Sequence, residues 1–269
     1  MRSCSGKDHG YGDAGTLVMR TLDCETVDTA YESLANIIDV AHPELSGVFD
    51  SIAPGRLVGE SPEGWPTRWR RLFSFVQEET RCRAHFDATC WFHCTRTWDH
   101  AFREGLLPQS LAEERIWQFL YQLVRDPQMK NRWEEVREGA QRSPLYSERR
   151  QGGSSEDGPF GLLIRESAMA ACHSPRFVNY FDLPELVDYI CRADILQGTD
   201  LAGEYRARTK PTIVKFRTKC HRADELRVAV FYAYAKRHGL DVTESCNWCY
   251  CGKGRGIPKE DILKVEVLS

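Results

Sequence analysis

Ala88–Thr95, ATCWFHCT, and the run from Arg96 to Pro108, RTWDHAFREGLLP, decide how this chain is read. The first eight residues are rich in β-formers and too short for a helix between their polar flanks, so they predict a buried strand. Side chains on a strand alternate between faces, which puts His93 and Thr95 on one side and Cys94 on the other. Cys94 therefore cannot partner His93 as a nucleophile. Arg96 follows at the strand end, where a side chain can reach an open cleft. Together His93, Thr95 and Arg96 supply donors and acceptors suited to a ribose and a diphosphate. The plainer alternative is a satisfied core histidine beside a surface arginine. Trp98–Glu104 reads as a short helix closed by Gly105 in a left-handed cap. Ser110 with Glu113 has the spacing of a capping box for the next helix, which carries Ile116, Phe119, Leu120, Leu123 and Val124 on one face.

Outward from this centre, short strands and helices alternate irregularly. Residues 1–22 are small and polar without periodicity. Val27, Tyr31, Leu34, Ile37, Ile38 and Ala41 recur at helical spacing from Glu25 to about His42, with Pro43 as the stop. Ala53–Pro66 reads as a loop, and Trp69, Phe73 and Val76 fit a short helix with a basic start at Arg68–Arg71. A polar helix is expected around Arg132–Glu138, then a Gly/Ser-rich linker or mobile loop over 147–158. Phe160–Ile164, Thr212–Phe216 and Ile262–Leu268 read as strands. Pro184 opens a helix through Ile190, and Glu225–His238 is a helix stopped by Gly239. The fold class is α+β. No Gly-rich turn follows a strand, which disfavours a doubly wound nucleotide fold, and there is no P-loop, GxSxG or HExxH motif. Residues 1–85 are expected to form a mostly helical extension, and 86–269 an α+β domain.

With 269 residues, 42% hydrophobic and 28% charged, the chain can bury a full core. The net charge of −3 hides an asymmetry. Arg20–Glu63 holds nine acids against two bases, and Gly203–His238 holds ten Lys or Arg against three acids. Such a basic region can attract phosphate-rich partners or be an ordinary solvated face. No apolar run approaches the roughly 20 residues of a membrane span. Met1–Gly15 does not read as a signal peptide, so the eleven cysteines are expected as reduced thiols in a cytoplasmic protein with no membrane association.

The pattern apolar-apolar-His93-x-Thr95-Arg96, a short helix, then Gly105-Leu106-Leu107-Pro108 resembles the first NAD-binding motif of the ADP-ribosyltransferase superfamily. The likeness is to its His-bearing branch, which includes poly-ADP-ribose polymerases and DarT-type toxins that modify nucleic acid. Cys94 stands where that branch usually has a small Gly. Gly158–Met169, GPFGLLIRESAM, resembles the following segment of the DarT-type enzymes, matching Phe160 and Arg165 to the nicotinamide pocket; a core strand followed by a turn explains it equally well. Ile257–Ile262 resembles the superfamily's closing loop and last strand.

The resemblance implies a split antiparallel β-sheet with flanking helices. It implies NAD as substrate, with His93 and Thr95 at the nicotinamide ribose and Arg96 or Arg165 at the diphosphate. A carboxylate must stabilise the oxocarbenium-like state. Glu244 precedes the closing loop and is taken first, with Glu204 and Glu166 as alternatives. The implied activity is transfer of ADP-ribose to a macromolecule, RNA or DNA among the candidates, in a toxin or antiphage role with an antitoxin or inhibitor protein as partner. The competing reading is a non-catalytic nucleic-acid-binding module on the same fold. Cys246, Cys249 and Cys251 form a CxxCxC cluster that would need Cys220 and His221 to complete a zinc site; buried or free thiols are preferred, and no metal is assigned. Lys253 and Arg255, beside Trp248 and Tyr250, could instead contact nucleic acid by charge and base stacking.

Overall fold

A computed structural model describes residues 19–57, 65–81, 84–98, 101–142, 146, 157–171, 179–193, 196, 199–219, 222–241 and 246–268. The expected mobile loop falls outside them except for Asp157 and Gly158, as do Glu244, Cys220 and His221.

In chain order the elements are β1 (Thr21–Leu22), α1 (Val27–Ile38), α2 (His42–Ser51), α3 (Pro54–Leu57), α4 (Trp65–Thr80) and β2 (Ala88–Thr97). Then come α5 (Gln109–Leu123), α6 (Pro127–Asn131), α7 (Trp133–Gln141), β3 (Phe160–Leu162), α8 (Arg165–Ala171), α9 (Glu185–Cys191) and α10 (Leu201–Arg208). β4 (Lys210–Thr218), α11 (Ala223–Arg237), β5 (Cys249–Cys251) and β6 (Ile262–Val267) complete the list. The class is α+β, with an antiparallel sheet ordered β5-β3-β2-β4-β6 and β1 alongside β2 in parallel. β2 and β4 are the spine, paired from Thr89–Thr218 to Thr97–Lys210.

Local chemistry accounts for the main helices. Thr26 and Thr29 form a reciprocal capping box at the start of α1, and Asp39 closes it in the left-handed region. α11 is buried on nearly every side, from Leu226 to Ala235, as a helix at the centre of a core must be. Asp224 and Glu225 in its first turn and Lys236 and Arg237 in its last complement the helix dipole. α11 packs against α1 and α4, and one cluster of buried apolar residues joins Leu22, Leu34, Phe49, Leu72 and Val76 to Trp91, Phe216 and Phe231. The boundary expected at residue 85 thus runs through a single core. A second cluster, Trp117, Leu120, Trp133, Val136, Leu186, Ile190 and Tyr205, belongs to α5, α7, α9 and α10.

Several local expectations are corrected. Residues 101–104 form a turn rather than the end of a helix. Gly105, at φ +95°, lets the chain bridge to the C-terminal loop through Leu106 N–H to Ile257 O (2.9 Å) and Ile257 N–H to Leu106 O (2.8 Å). The capping box at Ser110 does not form. The α5 N-cap is Pro108, and Ser110 gives both its N–H (2.8 Å) and its hydroxyl (2.5 Å) to the Asp157 carboxylate. The loose N-terminal stretch contributes β1, and α3 and the start of α4 lie in the expected loop 53–66.

Part of the charge asymmetry cancels on folding. Lys215 binds Asp23 (2.5 Å) and Glu25 (2.7 Å), and Arg237 binds Asp50, so two cations of the basic stretch are neutralised by three acids of the acidic one. Arg206 meets Asp182, Arg217 meets Asp261, Arg227 meets Asp224, and Lys236 meets Glu166. Six cations of the basic stretch are thus paired, while Arg208, Lys210 and Arg222 are exposed. Among the described residues, no helix is long and apolar enough to cross a membrane.

Candidate active site

The burial of β2 changes half-way along. Ala88 to Phe92 are buried, and from His93 onward the strand is half-buried. His93 pairs with Val214 and Thr95 with Thr212, so these four side chains share one face. β2 meets β3 at Phe92 and Leu162. Beside that pair the His93 ring crosses to β3, where Nδ1 lies 2.7 Å from the Phe160 carbonyl oxygen. A carbonyl only accepts, so Nδ1 carries the proton and Nε2 presents a lone pair. Burial pushes the imidazole pKa below its ordinary value, with the Phe160 carbonyl opposing only in part. Near pH 7 His93 is therefore a neutral acceptor of fixed tautomer, suited to receive a hydroxyl hydrogen.

His93 lines a cleft of about 210 Å³ where the helical cluster meets the end of β2. Thr95, Thr97, Trp98 and Phe102 continue the wall from β2, and Arg115 and Ile116 enter from α5. Phe160, Tyr180, Glu185 and Tyr205 complete it. Trp98 stacks on Phe119 at 4.3 Å, and Phe119 meets Tyr205 edge-on, which stiffens the aromatic side. The volume is below the ~300–1,000 Å³ of sites that engulf drug-sized ligands. It can enclose one end of a dinucleotide, with the remainder lying along the opening.

The residues singled out in the sequence have different fates. His93, Thr95 and Phe160 come together at the cleft, and Phe160 is 38% exposed there. Arg96 touches the lining, but four of its five N–H groups are committed. Nε donates to Thr209 Oγ1 (2.9 Å), and Nη1 to Phe181 O (2.6 Å). Nη2 donates to the carbonyls of Arg206 and Thr209, both at 2.8 Å. The guanidinium caps the end of α10, which leaves one N–H for the diphosphate role expected of it. Arg165 is engaged as well. It pairs with Glu266 at 2.6 Å, and Glu266 stands in the row with Ile213 and Cys94, on the sheet face opposite His93. Glu166 binds Lys236 and the Tyr232 hydroxyl, and Glu204 binds Arg125, all away from the cleft.

Two cleft residues were not visible from sequence. Glu185, the one acid among the described lining residues, accepts a hydrogen bond from Tyr189 at 2.6 Å. In sequence it reads only as an acid in the first turn of a helix. Arg115 is the cation at the cleft with hydrogens to spare; its one ion pair shown is with Glu104. Cys246 is enclosed and gives its S–H to Val228 O, while Cys249 and Cys251 sit on β5 opposite Leu162 and Phe160. Among the described residues no three His, Cys, Asp or Glu side chains gather as a metal-ligand set.

No protein-family model, curated protein or solved structure matches this chain.

Proposed function

We propose that the chain is an ADP-ribosyltransferase that cleaves NAD at the nicotinamide–ribose bond and transfers ADP-ribose to a macromolecule. The observation that carries this reading is His93, a neutral imidazole held by the Phe160 carbonyl with no partner for Nε2 among the described residues, beside Thr95 in an aromatic cleft. His93 and Thr95 receive the nicotinamide ribose, and Phe160 flanks the ring. Arg115 replaces Arg96 as the cation for the diphosphate, since four of the five Arg96 donors are spent. β2 meets β3 at the pair Phe92 and Leu162 within one continuous sheet, and the His93 ring bridges the two strands beside it.

C–N cleavage builds positive charge on the ribose, and a carboxylate facing that charge lowers the barrier. Glu244 from the sequence and Glu185 from the cleft are the two candidates; Glu244→Gln and Glu185→Gln distinguish them by which loses turnover. Nucleic acid is the first acceptor to test, on the DarT-type resemblance, and a toxin or antiphage role with an inhibitor partner follows from the same likeness.

The assay is release of free nicotinamide from labelled NAD by purified protein, with RNA, DNA or lysate as acceptor. Release that is lost in His93→Ala and retained in Arg165→Ala supports the proposal; NAD left intact under all acceptors contradicts it. A second reading, a binding module without turnover, is favoured by Glu166 and Glu204 both lying away from the cleft. It is recognised by NAD or nucleic acid bound and recovered unchanged.

A further inference from the structure

We infer that β6 is a homodimer interface, joining two copies of the chain into one continuous sheet. β6 ends the sheet, and its outer edge pairs with no strand among the described residues. An open edge of this kind presents unpaired backbone N–H and C=O groups to any strand that fits. Eight large apolar side chains are exposed among the described residues, and three of them lie on this one six-residue strand: Leu263 (45%), Val265 (45%) and Val267 (51%). Strand alternation puts Val265 and Val267 on one face, and Lys264 and Glu266 on the other.

The occupant is argued from the strand's own sequence. A two-fold axis at Val265 sets β6 antiparallel to its copy, with Val265 facing Val265 of the partner subunit. In that register Lys264 faces the partner's Glu266, and Leu263, the extra residue where β6 bulges against β4, lies at the end that meets the partner's Val267. Apolar residues meet apolar ones and each cation meets an anion, twice over, which is the self-complementarity an isologous contact needs. Shifting the axis by one residue, to Lys264 or Glu266, sets like charges opposite each other. Lys264 is half exposed and reaches Glu25 at 2.9 Å and Glu266 at 3.2 Å within its own chain, while Glu266 also pairs with Arg165 at 2.6 Å, so the exchange across the axis adds a second partner to each charge.

The consequence reaches the cleft. His93, Val214 and Val265 form one row across β2, β4 and β6, on the face that carries Val265. A two-fold axis perpendicular to the sheet keeps both His93 side chains on the same face. Five strand spacings of about 4.8 Å separate them, roughly 24 Å in all. The interface itself does not depend on the reaction proposed above.

The test is the molar mass of the full chain in solution by sedimentation. The wild type is expected as a dimer at micromolar concentration. Lys264→Glu sets a new carboxylate against the partner's Glu266, and Glu266→Lys sets a new ammonium against the partner's Lys264, so each variant alone is expected as a monomer. Mixed in equal amounts the two restore opposite charges at both positions, and the dimer is expected to return. This mixing arm keeps the inference refutable if either substitution weakens folding, since the return of mass requires two folded chains. A monomeric wild type would overturn the inference and leave the edge to a strand from a different protein. Single variants that remain dimers, or a mixture that stays monomeric, would overturn it as well.

Discussion

Replacing Glu25 by Gln should cost about 3 kcal/mol at pH 7 and much less in acid. Glu25 accepts from Lys215 Nζ at 2.7 Å and Lys264 Nζ at 2.9 Å, and its side chain is 21% exposed. The hydrogen bonds from Lys215 and then Lys264 pull its pKa from the ordinary 4.5 to about 2. A depressed carboxylate pKa contributes stability that is present above the unfolded value and lost as pH falls through the folded one. The drop of about 2.5 units corresponds to about 3 kcal/mol at pH 7, falling to roughly 1 kcal/mol at pH 3. Urea unfolding followed by tryptophan fluorescence at pH 7, 5, 4 and 3 measures the difference between wild type and Glu25→Gln. It should shrink steadily over that range, most of the loss coming below pH 4.5. Glu138→Gln, at the exposed pair with Arg142, is the control and should stay within about 0.5 kcal/mol throughout. A difference for Glu25→Gln that is near zero at pH 7, or that does not narrow with acid, would refute the reasoning.

Other consequences follow from the geometry. Arg96→Met orphans the carbonyls of Phe181, Arg206 and Thr209 and should cost about 3 kcal/mol in a denaturant titration, with Arg96→Lys recovering little because an ammonium lacks the planar fork. Gly105→Ala would place a methyl 2.0 Å from Ile257 O at a positive φ, and should lower stability by at least about 2 kcal/mol by the same measurement. Gly161→Ala brings a methyl within 2.9 Å of Trp91 and Phe216 and should cost about 1–3 kcal/mol, read as a fall in Tm. Nicotinamide release should be flat from pH 8 down to about 6.5 and decline only below it, because burial keeps His93 neutral at lower pH than a free imidazole; a profile falling from pH 8 downward would contradict that assignment.

What was legible in the sequence was what local rules determine. The β-formers of Ala88–Thr95 predicted the strand, strand alternation put His93 and Thr95 on one face, and the periodicity of α1 showed in its apolar spacing. What was not legible depended on partners distant in the chain. Ser110 has the spacing of a cap, but Asp157, 47 residues away, takes its donors. Arg96 has the chemistry of an anion binder, yet the end of α10 and Phe181 O consume most of its hydrogens. Glu185 and Arg115 gave no sequence signal because an acid or base on a helix is most often a solvated surface group. In the basic stretch 203–238, Lys215 and Arg237 are neutralised by Asp23, Glu25 and Asp50, about 190 residues before them. β5 was hidden inside a cysteine pattern that invites a metal reading.

The central claim concerns a single ring nitrogen, and a crystal structure of the protein with NAD or a non-cleavable analogue tests it most directly. The nicotinamide ribose is predicted in the cleft between His93 and Phe160, with a hydroxyl about 2.7–3.0 Å from His93 Nε2. A dinucleotide seated elsewhere, or bound there with Nε2 facing no hydroxyl, would contradict the account.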